Sequence, residues 1–406
     1  MRPGKRIGKQ DTLLIAVIVA ALVASVPIQY LVRREVVVGM RSEHAHSHAH
    51  GEEEEHEHVE AEEGEQNHGE EGHAASSIPL GSNLIDNYSF EVGTRSSLYG
   101  WQKKGEEAGA LVYRDETRSY KGFASAAVSS QESVFVDAGW VMQLGVLPLD
   151  HDLMFSGYVM TEGLSGEAYL GMIVRGSADG EGDMATLAIA YSDDLEGDSG
   201  WTPVELRCHV PPEAVEIWLE CGMYGTGRAW FDEVSLVMEE RESFPYPRTN
   251  LLRNPSFEDG VRHWHCYWSG LSGPPLYEAV PASPGRGNAL RVSNAPGSNP
   301  TARTSFYQSV CGLHGEKGSL RLRGILRAES LDGKAWVDVF PLRAPSSPGY
   351  IATDKGKGDT GWEAFELTIP LDGKTAGIFV RVNLEGEGTV YVDDLELVYT
   401  AAEDGA

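Results

Sequence analysis

NLIDNYSFE, residues 83–91, returns as NLLRNPSFE at residues 250–258, with every shared letter in the same register. Further along, Gly200-Trp201 through Gly225, Gly227 and Asp232 line up without a gap against Gly361-Trp362 through Gly386, Gly388 and Asp393. Between these ends, Gln143 of WVMQLGV aligns with Gln308 of FYQSVCGL, and MFSGYV around Gly157 with LRLRGIL around Gly324. Self-similarity on this scale marks two copies of one domain, each about 150 residues long. The first copy is placed at residues 79–241 and the second at residues 250–400, with the proline-containing ESFPYPRT at 242–249 as the hinge.

Within each copy the hydrophobic period is two. SLRLRGILRA (319–328) and TVYVDDLELVY (389–399) alternate apolar and polar residues, and clusters of Gly, Asp, Asn or Pro bound such runs. No long amphipathic helical pattern follows Val32. Short strands at turn-separated spacing predict an all-β chain of two tandem antiparallel β-sandwich, or jelly-roll, domains.

The chain has 406 residues, 41% of them hydrophobic, enough for ordinary cores, and a formal net charge of −28. Such acidity repels phosphate backbones, so nucleic acid is excluded as a partner class. Much of it is local: the twelve acidic residues from Glu43 to Glu71 stand without a Lys or Arg among them.

Residues 12–32, TLLIAVIVAALVASVPIQYLV, carry no charge and would span about 30 Å as a helix. They read as a transmembrane signal-anchor helix. Arg2, Lys5, Arg6 and Lys9 keep residues 1–11 cytoplasmic and send the rest outside, giving a single-pass protein of the cell membrane. The alternative is a cleaved signal peptide cut near Val23-Ala24-Ser25, which also exports the remainder.

Residues 33–78 hold eight of the thirteen histidines and almost no large apolar residue, so they cannot repay the entropy of folding and read as a disordered tether. A self-repelling spacer is one role for it. The other is loose capture of zinc, copper or nickel by His44, His46, His48, His50, His56 and His58. The four cysteines divide two by two, Cys208 with Cys221 and Cys266 with Cys311. That is compatible with one disulfide per copy in an exported chain, or with four buried thiols.

In the closing runs, Trp230, Asp232, Val234 and Leu236 share a parity, as do Tyr391, Asp393, Leu395 and Leu397, so an aspartate is expected on each apolar face. A carboxylate there needs a cation or hydrogen-bond donors. If the first and last strands adjoin, Glu91 and Glu258 are its companions, and Ca²⁺, a hard cation that takes oxygen ligands, suits the pairs. Backbone donors at strand ends are the alternative.

The opening N-L-(x)3-x-S-F-E, the G-W-x-x-F/V-E-L segment and the closing aromatic-x-D-D/E strand together resemble the carbohydrate-binding modules found in tandem beside bacterial cellulase and xylanase domains. These are jelly rolls of the galactose-binding-like superfamily. The resemblance covers residues 79–237 and 250–399 and implies a structural calcium held by Glu91 with Asp232 and by Glu258 with Asp393. It also implies a glycan cleft on a concave sheet. Aromatic faces that stack on sugar rings, with amides nearby to read hydroxyls, make Trp101, Tyr113, Trp140, Gln143 and Tyr169 the candidates in the first copy. In the second they are Trp268, Tyr307, Gln308 and Trp336.

The leading expectation is a non-catalytic cell-surface protein that binds a polysaccharide or other glycan through one or both copies. Two others stand beside it: a structural or adhesive surface protein with a protein partner, and a metal-handling surface protein acting through the His/Glu tether. No G-x-S-x-G elbow, phosphate loop or H-E-x-x-H motif occurs, and the chain is not expected to be an enzyme.

Overall fold

The computed structural model describes residues 80–402, apart from 131–133, 146–147, 177–183, 240–249, 272–274, 283–286, 343–350, 354–355 and 357. The anchor, the His/Glu tether with its histidines, and the hinge lie outside the described residues. Among the described residues no helix is long and apolar enough to cross a membrane.

The first copy contributes β1 (Gly93–Thr94), β2 (Ser97–Leu98), β3 (Gln102–Lys104), β4 (Ala110–Asp115), β5 (Ser125–Ser130), β6 (Val136–Leu144), β7 (His151–Gly176), β8 (Ala185–Tyr191), β9 (Leu195–Val210) and β10 (Ala214–Glu239). The second contributes β11 (His265–Ser269), β12 (Leu276–Pro281), β13 (Asn288–Asn294), β14 (Arg303–Cys311), β15 (Lys317–Leu342), β16 (Ile351–Ala352), β17 (Glu363–Asp372) and β18 (Gly377–Ala401). All pairing among them is antiparallel.

Two long strands organise each copy. The first half of β10 lies between β6 and the second half of β7, with β3 and β8 outside them, to form sheet I. The second half of β10 lies between β5 and the first half of β7, with β4 and β9 outside, to form sheet II. In the second copy β18 and β15 do the same, with β11, β14 and β16 in sheet I and β12, β13 and β17 in sheet II. Each copy is therefore a two-sheet sandwich, as the period-two pattern requires. Trp140, Leu170, Met172 and Leu219 from sheet I meet Phe155, Leu206, Phe231 and Leu236 from sheet II in the first core. Phe306, Val337 and Val382 meet Leu322, Ile369 and Leu397 in the second.

The recurring glycines sit where a long strand leaves one sheet for the other. Gly227 adopts φ +113°, and a Cβ on it would lie 2.4 Å from the Gly163 carbonyl oxygen; Gly388 is its counterpart at φ +133°. Both the backbone conformation and the close approach exclude a side chain. Gly227→Ala is expected to lower stability by about 2–3 kcal/mol, read as a drop in thermal midpoint. A midpoint unchanged within a degree would show that β10 does not bend there as described.

The opening motif is explained by the closing strand. Leu84 N–H donates to Leu236 O at 2.8 Å and Leu251 N–H to Leu397 O at 2.9 Å, so the first and last segments adjoin in both copies. Asn83 and Asn250 stitch the same seam, each accepting a backbone N–H and donating to a carbonyl of the last strand. Phe90 and Phe257 are fully buried, with φ of 56° and 55°.

One expectation is corrected at this seam. A bulge between Asp232 and Ser235, with Glu233 at φ 48°, reverses the parity of β10, so Asp232 points away from the face that Val234 and Leu236 give to the core. The cysteines also differ from a pairing within each copy. All four are free thiols, and Cys208 lies against Cys311 of the other sandwich, which together with burial raises its pKa.

The two sandwiches belong to one compact unit. Phe135 and Tyr224 pack on Trp268 with ring centroids 4.6 and 4.8 Å away, Tyr191 meets His265 at 5.0 Å, and the Cys311 thiol donates to Ile189 O at 3.0 Å.

Candidate functional site

Ile217, Leu219, Cys221 and Met223 fill the first core, so Glu216, Trp218, Glu220, Gly222 and Tyr224 must face outward from sheet I. The register sets Gln143 on one side of Trp218 and Ile173 on the other. Glu216 binds Arg175 at 2.6 Å and also accepts from the Gln143 amide. Glu220 accepts from Lys104 Nζ at 2.7 Å and from the Tyr169 hydroxyl at 3.1 Å. The Tyr169 ring lies flat on the sheet because Gly222 has no Cβ, which would sit 2.6 Å from it. The Trp218 indole N–H is buried and has no hydrogen-bond partner. Gln143 is exposed, whereas Trp218 is 8% exposed, so this aromatic ring beside an amide and anchored carboxylates can stack on a sugar and hydrogen-bond its hydroxyls only once the ring is uncovered.

Of the residues singled out from sequence, Gln143 and Tyr169 belong to this face. Trp140 does not: it is fully buried on the core side of β6, and the aromatic neighbour of Gln143 is Trp218. Trp101 and Trp268 likewise lie in the two cores. Tyr113 sits on the outer side of sheet II, in a cavity of about 640 Å³ with Trp230, Arg95, Arg118 and Arg228. There Arg95 covers Tyr113 at 5.7 Å, Arg118 covers Trp230 at 4.9 Å, and the Trp230 indole donates to Asp115 at 2.8 Å. Burial works against the Asp115 charge, but hydrogen bonds from Thr117 and Trp230 prevail and hold its carboxyl below the usual range.

The second copy presents a different outer face. Arg381 pairs with Asp338 through two hydrogen bonds, at 2.6 and 3.0 Å, and Trp336 Nε1 and Asn383 Nδ2 donate to the same carboxylate at 2.9 and 3.1 Å. Ser305 and Arg303 both donate to Asn383 Oδ1 at 2.8 Å. These groups satisfy one another. Tyr307 lies at the junction of the sandwiches, among Tyr191, His265 and Phe379. Gln308 faces inward, bonded to backbone of Arg253 and His263, so it is not the structural counterpart of Gln143. That position belongs to Ser309, which pairs with Phe379 as Gln143 pairs with Trp218. The sequence alignment was one residue out, which exchanges the two faces of a strand.

At the carboxylate pairs, Asp232 is fully buried and accepts from the backbone N–H of Tyr120, Lys121 and Glu233 at 2.7, 3.0 and 2.7 Å. Burial outweighs these bonds and pushes its pKa up to about 6. Glu91 accepts from Phe123 N–H at 2.7 Å, and Glu258 from Asn288 N–H at 2.8 Å. Asp393 is buried and accepts from Asp394 N–H at 2.6 Å. The donor set suits a hard cation, while several of its oxygens are engaged by backbone amides.

No protein-family model matches the chain. The tRNA nuclease WapA of Bacillus subtilis (strain 168) is 22% identical over 352 residues, covering 82% of this chain and 14% of that protein. The tRNA(Glu)-specific nuclease WapA of Bacillus subtilis subsp. natto (strain BEST195) matches over the same shares. The chain thus spans a small part of these relatives. Among solved structures, the tandem CBM22-1-CBM22-2 domain of Paenibacillus barcinonensis Xyn10C is 17% identical, covering 80% of this chain and 100% of its own, with a TM-score of 0.31. The C-terminal family 22 carbohydrate-binding module of Clostridium thermocellum Xyn10B is 16% identical, covering 38% and 95%, with a TM-score of 0.27. The fold rests on the strand pairing described above.

Proposed function

We propose that this chain is a non-catalytic, membrane-anchored surface protein that binds a polysaccharide through the outer face of sheet I of its first sandwich. The observation that carries the reading is the grouping of Trp218 and Tyr169 with the exposed Gln143 amide and the anchored carboxylates Glu216 and Glu220 on one face, a ring-and-amide set that a sugar engages once Trp218, 8% exposed, is uncovered. The second sandwich, whose outer face is held by the buried Asp338–Arg381 ion pair, serves as a support. Nuclease activity forms no part of the proposal: the likeness to WapA covers 14% of that protein, and a net charge of −28 opposes RNA. Retention of the full chain on a panel of insoluble polysaccharides tests the reading. Selective, saturable retention supports it, and a folded chain that passes through every one of them overturns it.

Structural calcium at Glu91 with Asp232 and at Glu258 with Asp393 is part of the same proposal, supported by paired carboxylates at the seam of the first and last segments. Its test is a pH profile. With a folded pKa of about 6 against an ordinary 3.8, Asp232 holds its proton more tightly in the folded state. Its stabilising contribution is complete below about pH 4 and is lost as the pH rises through 6. Stability is expected to fall by on the order of 3 kcal/mol across this window, and the fall should vanish in Asp232→Asn. Ca²⁺, which binds the ionised carboxylate, should abolish it in the native chain, and a limb untouched by millimolar Ca²⁺ would remove calcium from the account.

A further inference from the structure

Three ionisable side chains that the glycan face does not use meet at the junction of the sandwiches. Glu167 comes from the second half of β7, Asp194 from the turn between β8 and β9, and His265 from the first residue of β11 in the other copy. One ligand atom from each lies within 4.8 Å of the others. His265 Nδ1 is 2.8 Å from Asp194 Oδ2 and 3.8 Å from Glu167 Oε2. Glu167 is 4% exposed and His265 5%, so neither charge is screened by bulk water.

The arrangement is unbalanced as it stands. Two carboxylates crowd one another and share one imidazole as the counter-charge in their ion pairs among the described residues. Asp194 Oδ1 is buried and accepts no hydrogen bond. A third acid, Glu196, acts on Glu167 from nearby, held by the Tyr277 hydroxyl at 3.4 Å. Burial, then the Glu167 charge, raises Asp194 well above its ordinary range. Burial lowers His265, but Asp194 and Glu167 overcome that and lift it to about 10. Such a set either shares protons or takes a cation.

We propose that Glu167, Asp194 and His265 form a Zn²⁺ site that staples the two sandwiches together. Imidazole nitrogen with two carboxylate oxygens is a zinc-compatible donor set, and bonds of about 2.0–2.2 Å set tetrahedral ligands about 3.4 Å apart. The two distances from His265 Nδ1 bracket that separation, and all three ligand atoms already lie within 4.8 Å of one another, within reach of side-chain rotation. The shell around the ligands is built as well. Cys266 N–H donates to Glu167 Oε1 at 3.1 Å, fixing the carboxylate with its other oxygen toward His265. Because β7 and β11 belong to different copies, the ion bonds only the assembled junction, and its binding energy becomes stability of the pair. This site stands apart from the glycan reading and from the histidines of the tether.

Thermal unfolding of the full chain, stripped with chelator and then given micromolar Zn²⁺, tests the proposal. The tether's imidazoles are present in every variant, so a comparison with Asp194→Asn and His265→Gln cancels their contribution. The native chain is expected to gain about 4–8 °C in midpoint, and both variants less than a degree. Asp194→Asn relieves the repulsion with Glu167 and leaves Glu167 as the His265 counter-charge, so its metal-free midpoint should stay within about 3 °C and it reports even if His265→Gln folds poorly. No gain in the native chain, or an equal gain in all three, overturns the site.

Discussion

Asp338→Ala is expected to cost the chain about 3–5 kcal/mol, a loss visible as a large fall in the denaturant midpoint. Asp338 is 1% exposed and accepts from Arg381, Trp336 and Asn383. Removing its carboxylate leaves the Arg381 guanidinium, 9% exposed, as a buried charge with its principal partner gone. Replacing both members, Asp338→Leu with Arg381→Met, should recover much of the loss, because the larger penalty is the orphaned charge and not the missing attraction. A single substitution that costs under 1 kcal/mol would mean that water reaches this face and that it is open to ligand, which would reverse the roles given to the two sandwiches.

Trp218→Ala is expected to weaken polysaccharide binding at least tenfold, about 1–3 kcal/mol, by removing a stacking surface and an indole donor together. Trp218 points away from the core but is 8% exposed, so the variant should lose some stability through lost packing while its far-ultraviolet signature is kept. Gln143→Ala, at the side of the same ring, should weaken binding less. Tyr113→Ala, on the outer side of sheet II, should leave it unchanged. Binding lost with Tyr113 and kept with Trp218 would move the ligand to the cavity among Arg95, Arg118 and Arg228, where an anionic sugar would suit the guanidinium groups.

The sandwich architecture was legible because its devices are local and doubled. The S-F-E segment carries a buried Phe at positive φ in each copy, and Gly227 and Gly388 stand where a strand must bend between sheets. Twice-repeated punctuation of that kind survives drift elsewhere in the sequence. Which face a given aromatic occupies was less legible. Alternation reports parity within one strand and not which parity is the core, and in WVMQLGV the one ring, Trp140, goes inward with Val136, Ala138 and Met142. Trp218 was missed because Ile217, Leu219 and Cys221 around it make EIWLECG read as one buried apolar run. The signal that could have found it is the pair Glu216 and Glu220, two acids that put Trp218 on the polar parity. A single bulged residue, Glu233, misplaced Asp232 in the same way. The junction set of Glu167, Asp194 and His265 was invisible to any reading of one repeat at a time, since its members come from both.

The most direct test of the central claim is affinity electrophoresis of the native chain through gels containing soluble polysaccharide, with Trp218→Ala and Tyr113→Ala run alongside. The account predicts retardation that grows with polysaccharide concentration for the native chain and for Tyr113→Ala, and free migration for Trp218→Ala. Equal retardation of all three, or of none across the polysaccharides tried, would contradict it.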